Sequence, residues 1–568
     1  MKKLQDYTNS VIETLFTKDV GFQDQLDYLL PSKEKNRIIS VLKDWEQKMP
    51  RWEALTTEVA RPEKLPRVEK YDPVGNCVER IVLPLETKRV RREVVEAGIF
   101  TSKTELEKFS KIYLLGQMGE SGITCPLACT DGLIRVLSAH GSDFLKEKYV
   151  PLLSSSDYPL SGAQFITERA GGSDVGAIEG TARPHPEGHW LLTAEKWYCS
   201  AMDEFFLLAA RPEGAPAGTK GVAIFFVPHM IQENGREVIN NLSIRRLKDK
   251  LGTQSLPTAE IDFQNSKAHL IGKAEEGFHH LMDYVLNTSR VHNAAGSLAC
   301  ARRAFAEAKN YAEQRVAFGN EIIHYPLVQE HLLSILSSLN AKRNLYCHML
   351  CMMDQDGWLP EDREKRLWQR FLINLMKYRT AATLTEQVKK AILVFGANGV
   401  IQDFCILPRL LRDALILENW EGTHNTLCLQ ILRDSQRFDF LGRLHQEVDL
   451  LVKDWPNNVL SKSKGLFLSA LNLSKEMMTQ KNLANPQWAE THAAHMADFV
   501  ADLLEIGHLV KQGVAQKNNN ILLQASYLTH EVFGNRLSRF GNPVLNGLSH
   551  FGLALVREES LSVKIDQY

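Results

Sequence analysis

"QFITERAGGSDVGA", residues 164–177, is followed at residues 195–205 by "EKWYCSAMDEF", and these two stretches carry the reading of the fold. The adjacent Gly171 and Gly172 let main-chain N–H groups approach a ligand, while Thr167 and Ser173 offer hydroxyls suited to a flat hydrogen-bonding ring or a phosphate. Trp197 brings a large aromatic surface into a strand. Taken singly, the first stretch also reads as a packed turn and the second as a core tryptophan.

Outward from them the texture of the chain changes in both directions. Short β-rich runs ("HWLLTAEKWYCS", "EFFLLAARP", "GVAIFFVP", "TAEIDF") with turn segments "PHPEGH" and "PEGAPAGTKG" between them predict a compact β domain over residues 159–275. Residues 1–158 read as helices and loops, with "ARPEKLPRVEKYDPVG" as a Pro-rich crossing segment. Helices return over 276–440, where Leu298, Ala301, Phe305, Ala308 and Ala312 recur at three-four spacing as a bundle stripe. Residues 441–568 are helical again. The expected fold is mainly α, with a central β-barrel domain between helical regions and an extra C-terminal helical domain.

The 568 residues are enough to bury a large pocket and to form several packed units. A formal net charge of -1 supplies no global attraction to nucleic acid or anionic lipid. The start is basic, but Asp6, Asn9, Ser10 and Glu13 interrupt any apolar signal-peptide core, and no apolar run approaches a membrane span, so a cytoplasmic protein is expected. Nine scattered cysteines suit reduced, structural thiols, and His492 and His495 suit a solvated or core face better than a metal pair.

A third stretch, "WEGTHN" at 420–425, sets a lone carboxylate, Glu421, between Trp420 and Gly422. An apolar setting makes a carboxylate costly to ionise and moves it toward the range useful for a base, and glycine permits close approach. On the hexapeptide alone, a solvated loop glutamate at a helix end is the simpler reading.

Order and company change that reading. "ITERAGGSDV", "EKWYCSA", "RLKDKLGTQS", "AEQRVAFG", "LVFGANGV", "LPRLLRDA" and "WEGT" occur in this order, and over roughly residues 60–440 the chain resembles the acyl-CoA dehydrogenase superfamily. With "YDPVGNCVERI", "LKDKLG", "IIHYPL" and "WEGTHN" it is most similar to the AidB branch.

The resemblance implies FAD at the junction of helical, barrel and bundle domains and across a subunit boundary. Gln164, Ile166, Thr167, Gly172 and Ser173 would line the flavin, Trp197 would lie against its ring with Tyr198, Cys199 and Ser200 beside it, and Ser173 would also meet the substrate. Arg315 and Phe318 match positions that hold the dinucleotide end of the partner's cofactor, and Gly396, Asn398 and Gly399 match the turn near its pyrophosphate. Thr423 and Asn425 fall at cofactor-contacting positions. Glu421 matches the base that removes the α-proton of an acyl-CoA as the β-hydrogen leaves as hydride, and Arg290 matches an arginine beside that base, with a structural ion pair as its plain alternative. The partners implied are an acyl-CoA, an electron-transfer flavoprotein as electron acceptor and further copies of the chain, as a dimer of dimers.

Three departures stand out: Gln254 where relatives commonly carry Arg, His424 where AidB has a small residue, and Cys199 where many relatives have Thr. The AidB branch is also associated with DNA binding through a basic C-terminal domain. Residues 441–568 here carry twelve Lys and Arg against twelve Asp and Glu, and a domain held to phosphates needs a positive excess. That balance argues for the enzyme and against the DNA binder.

Overall fold

The computed structural model describes residues 7–155, 160–456, 460–534 and 543–561. They form two compact units, one of Met1–Met49, Thr104–Gly119 and Asn293–Tyr568, the other of Pro50–Lys103 and Glu120–His292.

The second unit is built on β-sheet. Its strands are β1 (Arg67–Tyr71), β2 (Cys77–Val82), β3 (Gly162–Phe165), β4 (Thr181–Pro184), β5 (Trp190–Ser200), β6 (Phe205–Pro212), β7 (Ala223–Pro228), β8 (Met230–Glu233), β9 (Arg236–Ile239), β10 (Leu242–Leu247) and β11 (Thr258–Leu270). β11 pairs with β5, β5 with β4, β4 with β6, β6 with β7, and β7 returns to β11, so five strands close a barrel; β10 extends it beside β11 and β3 beside β6. Closure leaves no free edge on those five. The period-two pattern sorts the faces: Phe206, Leu208 and Ala210 of β6 and Ala223, Phe225 and Val227 of β7 fill the barrel, while Phe205, Leu207, Ala209, Ile224 and Phe226 pack against helices Ser121–His140 and Asp143–Ser154. This double burial explains why these strands read as continuous apolar runs.

One expectation is corrected. The Pro-rich segment near residue 70 is a β-hairpin: β1 and β2 pair antiparallel with Tyr71 opposite Cys77. The Asp72 carboxylate accepts the Val74 and Asn76 N–H groups at 3.0 and 2.8 Å, and Gly75 takes φ +90°, closing an Asx-type turn. Val68 and Ile81 then lean on the barrel core, which supplies the apolar anchor the prolines disguised.

The first unit is a helical bundle around Pro326–Asp356 and Arg363–Phe395, joined by the body of Asn287–Gln314, by Leu407–Asn419 and by His424–Ser435. Leu298, Ala301, Phe305, Ala308 and Ala312 are all buried, as their spacing predicts. The C-terminal part adds Phe440–Val452, Ser461–Met477, Pro486–Gln516, Asn519–Phe533 and Pro543–Val556 to the same unit. Among the described residues no helix is long and apolar enough to cross a membrane, and all nine cysteines are free thiols.

Candidate active site

In the barrel unit the glycine loop is fixed before any ligand arrives. Trp197 N–H donates to the Thr167 carbonyl at 2.9 Å, so the loop is laced to β5 beside the indole. Below it, Lys196 is fully buried and its Nζ donates to Glu168 Oε1 at 2.6 Å, to the Ala209 carbonyl at 2.7 Å and to the Ile166 carbonyl at 3.2 Å. The other Glu168 oxygen accepts the Glu179 and Gly180 N–H groups at 2.6 and 3.1 Å. A buried charge is tolerated when paired and hydrogen-bonded, and here the pair holds both ends of the loop. Sequence reading missed Glu168 and Lys196. Their separation of 28 positions has no local signature, although a Glu inside the glycine motif and a Lys beside the tryptophan were both visible.

Above this base Gly172 and Ser173 are exposed, while Gln164, Ile166, Thr167 and Trp197 are half-buried. A Cβ on Gly172 would come within 3.3 Å of Thr167 Cγ2, so the loop is close-packed where a side chain would intrude. Gln164 Nε2 donates to Ser289 Oγ at 2.8 Å, next to the buried Arg290, and a π-helical turn at Leu281–Leu286 leads into their helix; such turns are frequent at functional sites. Lys248 Nζ lies 3.4 Å from the Trp197 ring centroid and 4.8 Å from that of Tyr198. Tyr198 is exposed. Cys199 points into the barrel core, where burial pushes its thiol well above the usual range, so it remains protonated. Ser200 Oγ instead meets Thr258 Oγ1 at 2.9 Å. Exposed donors on a rigid lip beside an accessible indole fit a flat, hydrogen-bonding ring such as a flavin. Gln254 is exposed, its Nε2 donating to the Lys250 carbonyl.

In the helical unit, helix Leu407–Asn419 stops at Trp420, and the backbone then turns left-handed at two successive residues, Glu421 at φ +58° and Gly422 at φ +109°. For a glutamate that conformation costs about 1–3 kcal/mol and persists only where the surroundings impose it. The imposing group is Lys377, buried on helix Arg363–Phe395, whose Nζ donates to the Glu418 carbonyl at 3.0 Å and to the Gly422 carbonyl at 2.7 Å. It ties together the two sides of the turn that presents Glu421. Thr423 caps the next helix, with its hydroxyl 3.1 Å from Thr426 Oγ1, and Asn425 is exposed. His424 packs edge-on against Tyr378, and burial lowers its imidazole pKa. Lys377 was not legible in the sequence, where it reads as one of several basic residues on a long helix.

Elsewhere in the same unit, Val316–Ala317 and Asn320–Glu321 form a hairpin in which Phe318 and Gly319 both have positive φ, a type I′ turn. Arg315 opens it and the Phe318 side chain is 97% exposed at its tip. Asn398 Nδ2 donates to the Tyr311 hydroxyl at 3.0 Å and Phe395 stacks on the Tyr311 ring at 4.2 Å. The turn with Gly396 (φ +62°) and Gly399 is thereby brought beside the end of the helix that leads to Arg315.

Comparison with known proteins agrees with this geometry. Residues 163–266 match the model of the acyl-CoA dehydrogenase middle domain and residues 275–435 that of the acyl-CoA dehydrogenase C-terminal domain. The chain is 26% identical over 547 residues to acyl-CoA dehydrogenase family member 11 of Caenorhabditis elegans, covering 90% of this chain and 87% of that one. It is 30% identical over 355 residues to the AidB protein of Escherichia coli K12, covering 59% of this chain and 62% of the relative. The crystal structure of Caenorhabditis elegans ACDH-11 in complex with C11-CoA superposes with a TM-score of 0.83 at 25% identity, over 91% of each chain. The chain therefore belongs to the acyl-CoA dehydrogenase superfamily, a family of FAD-dependent oxidoreductases.

Proposed function

We propose that this chain oxidises an acyl-CoA thioester to the trans-2-enoyl-CoA, with Glu421 as the base that takes the α-proton. The observation that carries this reading is the turn itself: a carboxylate-bearing residue in left-handed backbone, braced by Lys377 at both flanking carbonyls. The α-proton of a thioester is weakly acidic, so its removal needs a positioned carboxylate and a carbonyl oxygen polarised by fixed donors. The Glu421 N–H is one such donor. When bound, FAD supplies the two-electron acceptor for the hydride that leaves the β-carbon. The chain's own part would be to hold that group: Gln164, Ile166, Thr167, Gly172, Ser173, Trp197, Tyr198 and Ser200 are the proposed cofactor-binding residues of the barrel unit, and Thr423 and Asn425 those of the turn that carries Glu421. Ser173 and Arg290 are the proposed substrate-binding residues.

The same reading makes the enzyme a homo-oligomer built on a dimer, in which Arg315, Phe318, Gly396, Asn398 and Gly399 serve the neighbouring copy's cofactor. Support comes from apolar side chains left open in this region, with Phe318, Leu327, Leu393 and Val400 all more than 60% exposed. Electron-transfer flavoprotein is the proposed electron acceptor and the cytoplasm the proposed compartment. The division at residues 158, 275 and 440 is proposed as the order of helical, barrel, catalytic and additional helical segments.

Glu421→Gln tests the assignment. It keeps the size of the side chain and removes the basic oxygen, so FAD content and ligand affinity persist while single-turnover flavin reduction by the best acyl-CoA of a chain-length panel falls about 10²–10⁴-fold. A Gln variant that reduces its flavin within about tenfold of the parent sinks the assignment.

A further inference from the structure

Far along the chain from the glycine loop, three side chains meet that no part of the proposed reaction uses. His348 lies on helix Pro326–Asp356, Glu447 on Phe440–Val452 and His508 on Pro486–Gln516, all within the helical unit. One ligating atom from each falls within 4.8 Å of the others. His348 Nε2 is 4.0 Å from Glu447 Oε1, and the two imidazole rings are 4.4 Å apart. We infer that His348, Glu447 and His508 form a three-ligand site for a divalent transition cation of the zinc type, which staples the C-terminal helices to the bundle.

The chemistry of the set favours this. Two imidazoles and one carboxylate suit a borderline cation such as Zn²⁺, with the fourth position left to water. Zinc bonds of about 2.0–2.1 Å need the ligand atoms, which lie within 4.8 Å of one another, to draw together by roughly 1 Å. Arg443 Nη2 lies 3.7 Å from Glu447 Oε2, leaving Oε1 on the histidine side. Lys511, whose charge also bears on both imidazoles, sits half-buried with a flexible stem that can carry its ammonium to solvent. A cation here would join a bundle helix to two helices beyond residue 440, so it would act on the docking of the additional region and not on the proposed chemistry.

A second cluster, His185, Glu187 and His189, occupies the "PHPEGH" turn, where the imidazoles stack at 4.2 Å beside a Glu187 side chain that is 73% exposed. It shares no scaffold with the first and serves as its control. The test uses the full-length FAD holoenzyme, treated with chelator and titrated with Co²⁺ and then Zn²⁺. Expected is one equivalent of Co²⁺ with d–d absorption to the red of the flavin bands, its displacement by Zn²⁺, and a rise in the unfolding midpoint with Zn²⁺. In His348→Ala and Glu447→Gln the affinity should drop by more than about 100-fold, since outer-shell partners alone are worth 10–100-fold, and the midpoint should lose its response to Zn²⁺. Both sites are half-buried, so folding should survive, and flavin content checks it. His185→Ala/His189→Ala should bind as the parent does. The inference is overturned if the parent takes up no stoichiometric Co²⁺, if the two ligand variants bind unchanged, or if binding is lost only in the double variant of the turn.

Discussion

Replacing Lys377 by Met keeps the unbranched apolar stem of the side chain and deletes the donor that spans the Glu421 turn. The Glu418 and Gly422 carbonyls each lose one hydrogen bond, of 3.0 and 2.7 Å. A buried acceptor left without its donor costs about 1–3 kcal/mol, but Trp420, Glu421 and Gly422 are half-buried, so water can reach part of the gap and the lower end applies. Two such losses give about 2 kcal/mol. The left-handed glutamate stores a similar amount, about 1–3 kcal/mol, that this bracing opposes. The turn can therefore relax locally, at little further cost, while the helices on either side stay packed. If loss of the brace leaves the presented conformation about 2 kcal/mol above a relaxed one, roughly one molecule in thirty remains competent, so flavin reduction by acyl-CoA should slow about 30-fold. Stopped-flow reduction of Lys377→Met, alone and combined with Glu421→Gln, is the assay. Because Lys377 acts through Glu421, adding Lys377→Met to the Gln variant should cost little more, whereas independent roles would add. A Lys377→Met enzyme that reduces its flavin within about twofold of the parent, or an additive double variant, refutes the bracing argument.

Four further outcomes are expected. Glu168→Ala leaves the Lys196 ammonium buried without its carboxylate and should destabilise the chain by about 3–5 kcal/mol in denaturant unfolding, with loss of FAD before global unfolding. Phe318→Ser should weaken self-association, read as a lower mass by light scattering, together with weaker FAD retention, whereas a monomeric parent would contradict the shared site. Gly422→Ala forces a side chain into φ +109° and should lower both stability and flavin reduction, where an innocent position would gain about 0.4–1 kcal/mol from the same change. Burial, reinforced by Asp203, raises the Glu204 carboxyl to about 7. The folded state thus holds a proton that the unfolded chain releases near 4.5, and stability falls as pH rises from about 4.5 through 7; Glu204→Gln should flatten that slope in midpoints measured at pH 5.5 and 7.5.

What was legible in the sequence followed from what each residue touches. β5, β6 and β7 could be read because both of their faces, or one face and an aromatic row, are apolar, and burial of that kind writes a pattern into neighbouring positions. β8 and β9, "MIQE" and "REVI", are largely exposed and pair mainly through backbone, so nothing in their side chains marks them. Glu421 could be suspected because a carboxylate between Trp and Gly is an anomaly on its own. Lys377 could not: its partners are two main-chain carbonyls, 41 and 45 residues away, and a carbonyl is the same at every position. Lys196 is hidden for a related reason, since its three acceptors lie on the glycine loop and on β6. The residues that touch ligand must have particular side chains, and motifs capture them. The residues that set the geometry of the site need only a donor at the right point in space, and many positions in a chain could supply one. For this protein Lys377 is therefore where a substitution would leave every motif intact and still slow the proposed reaction.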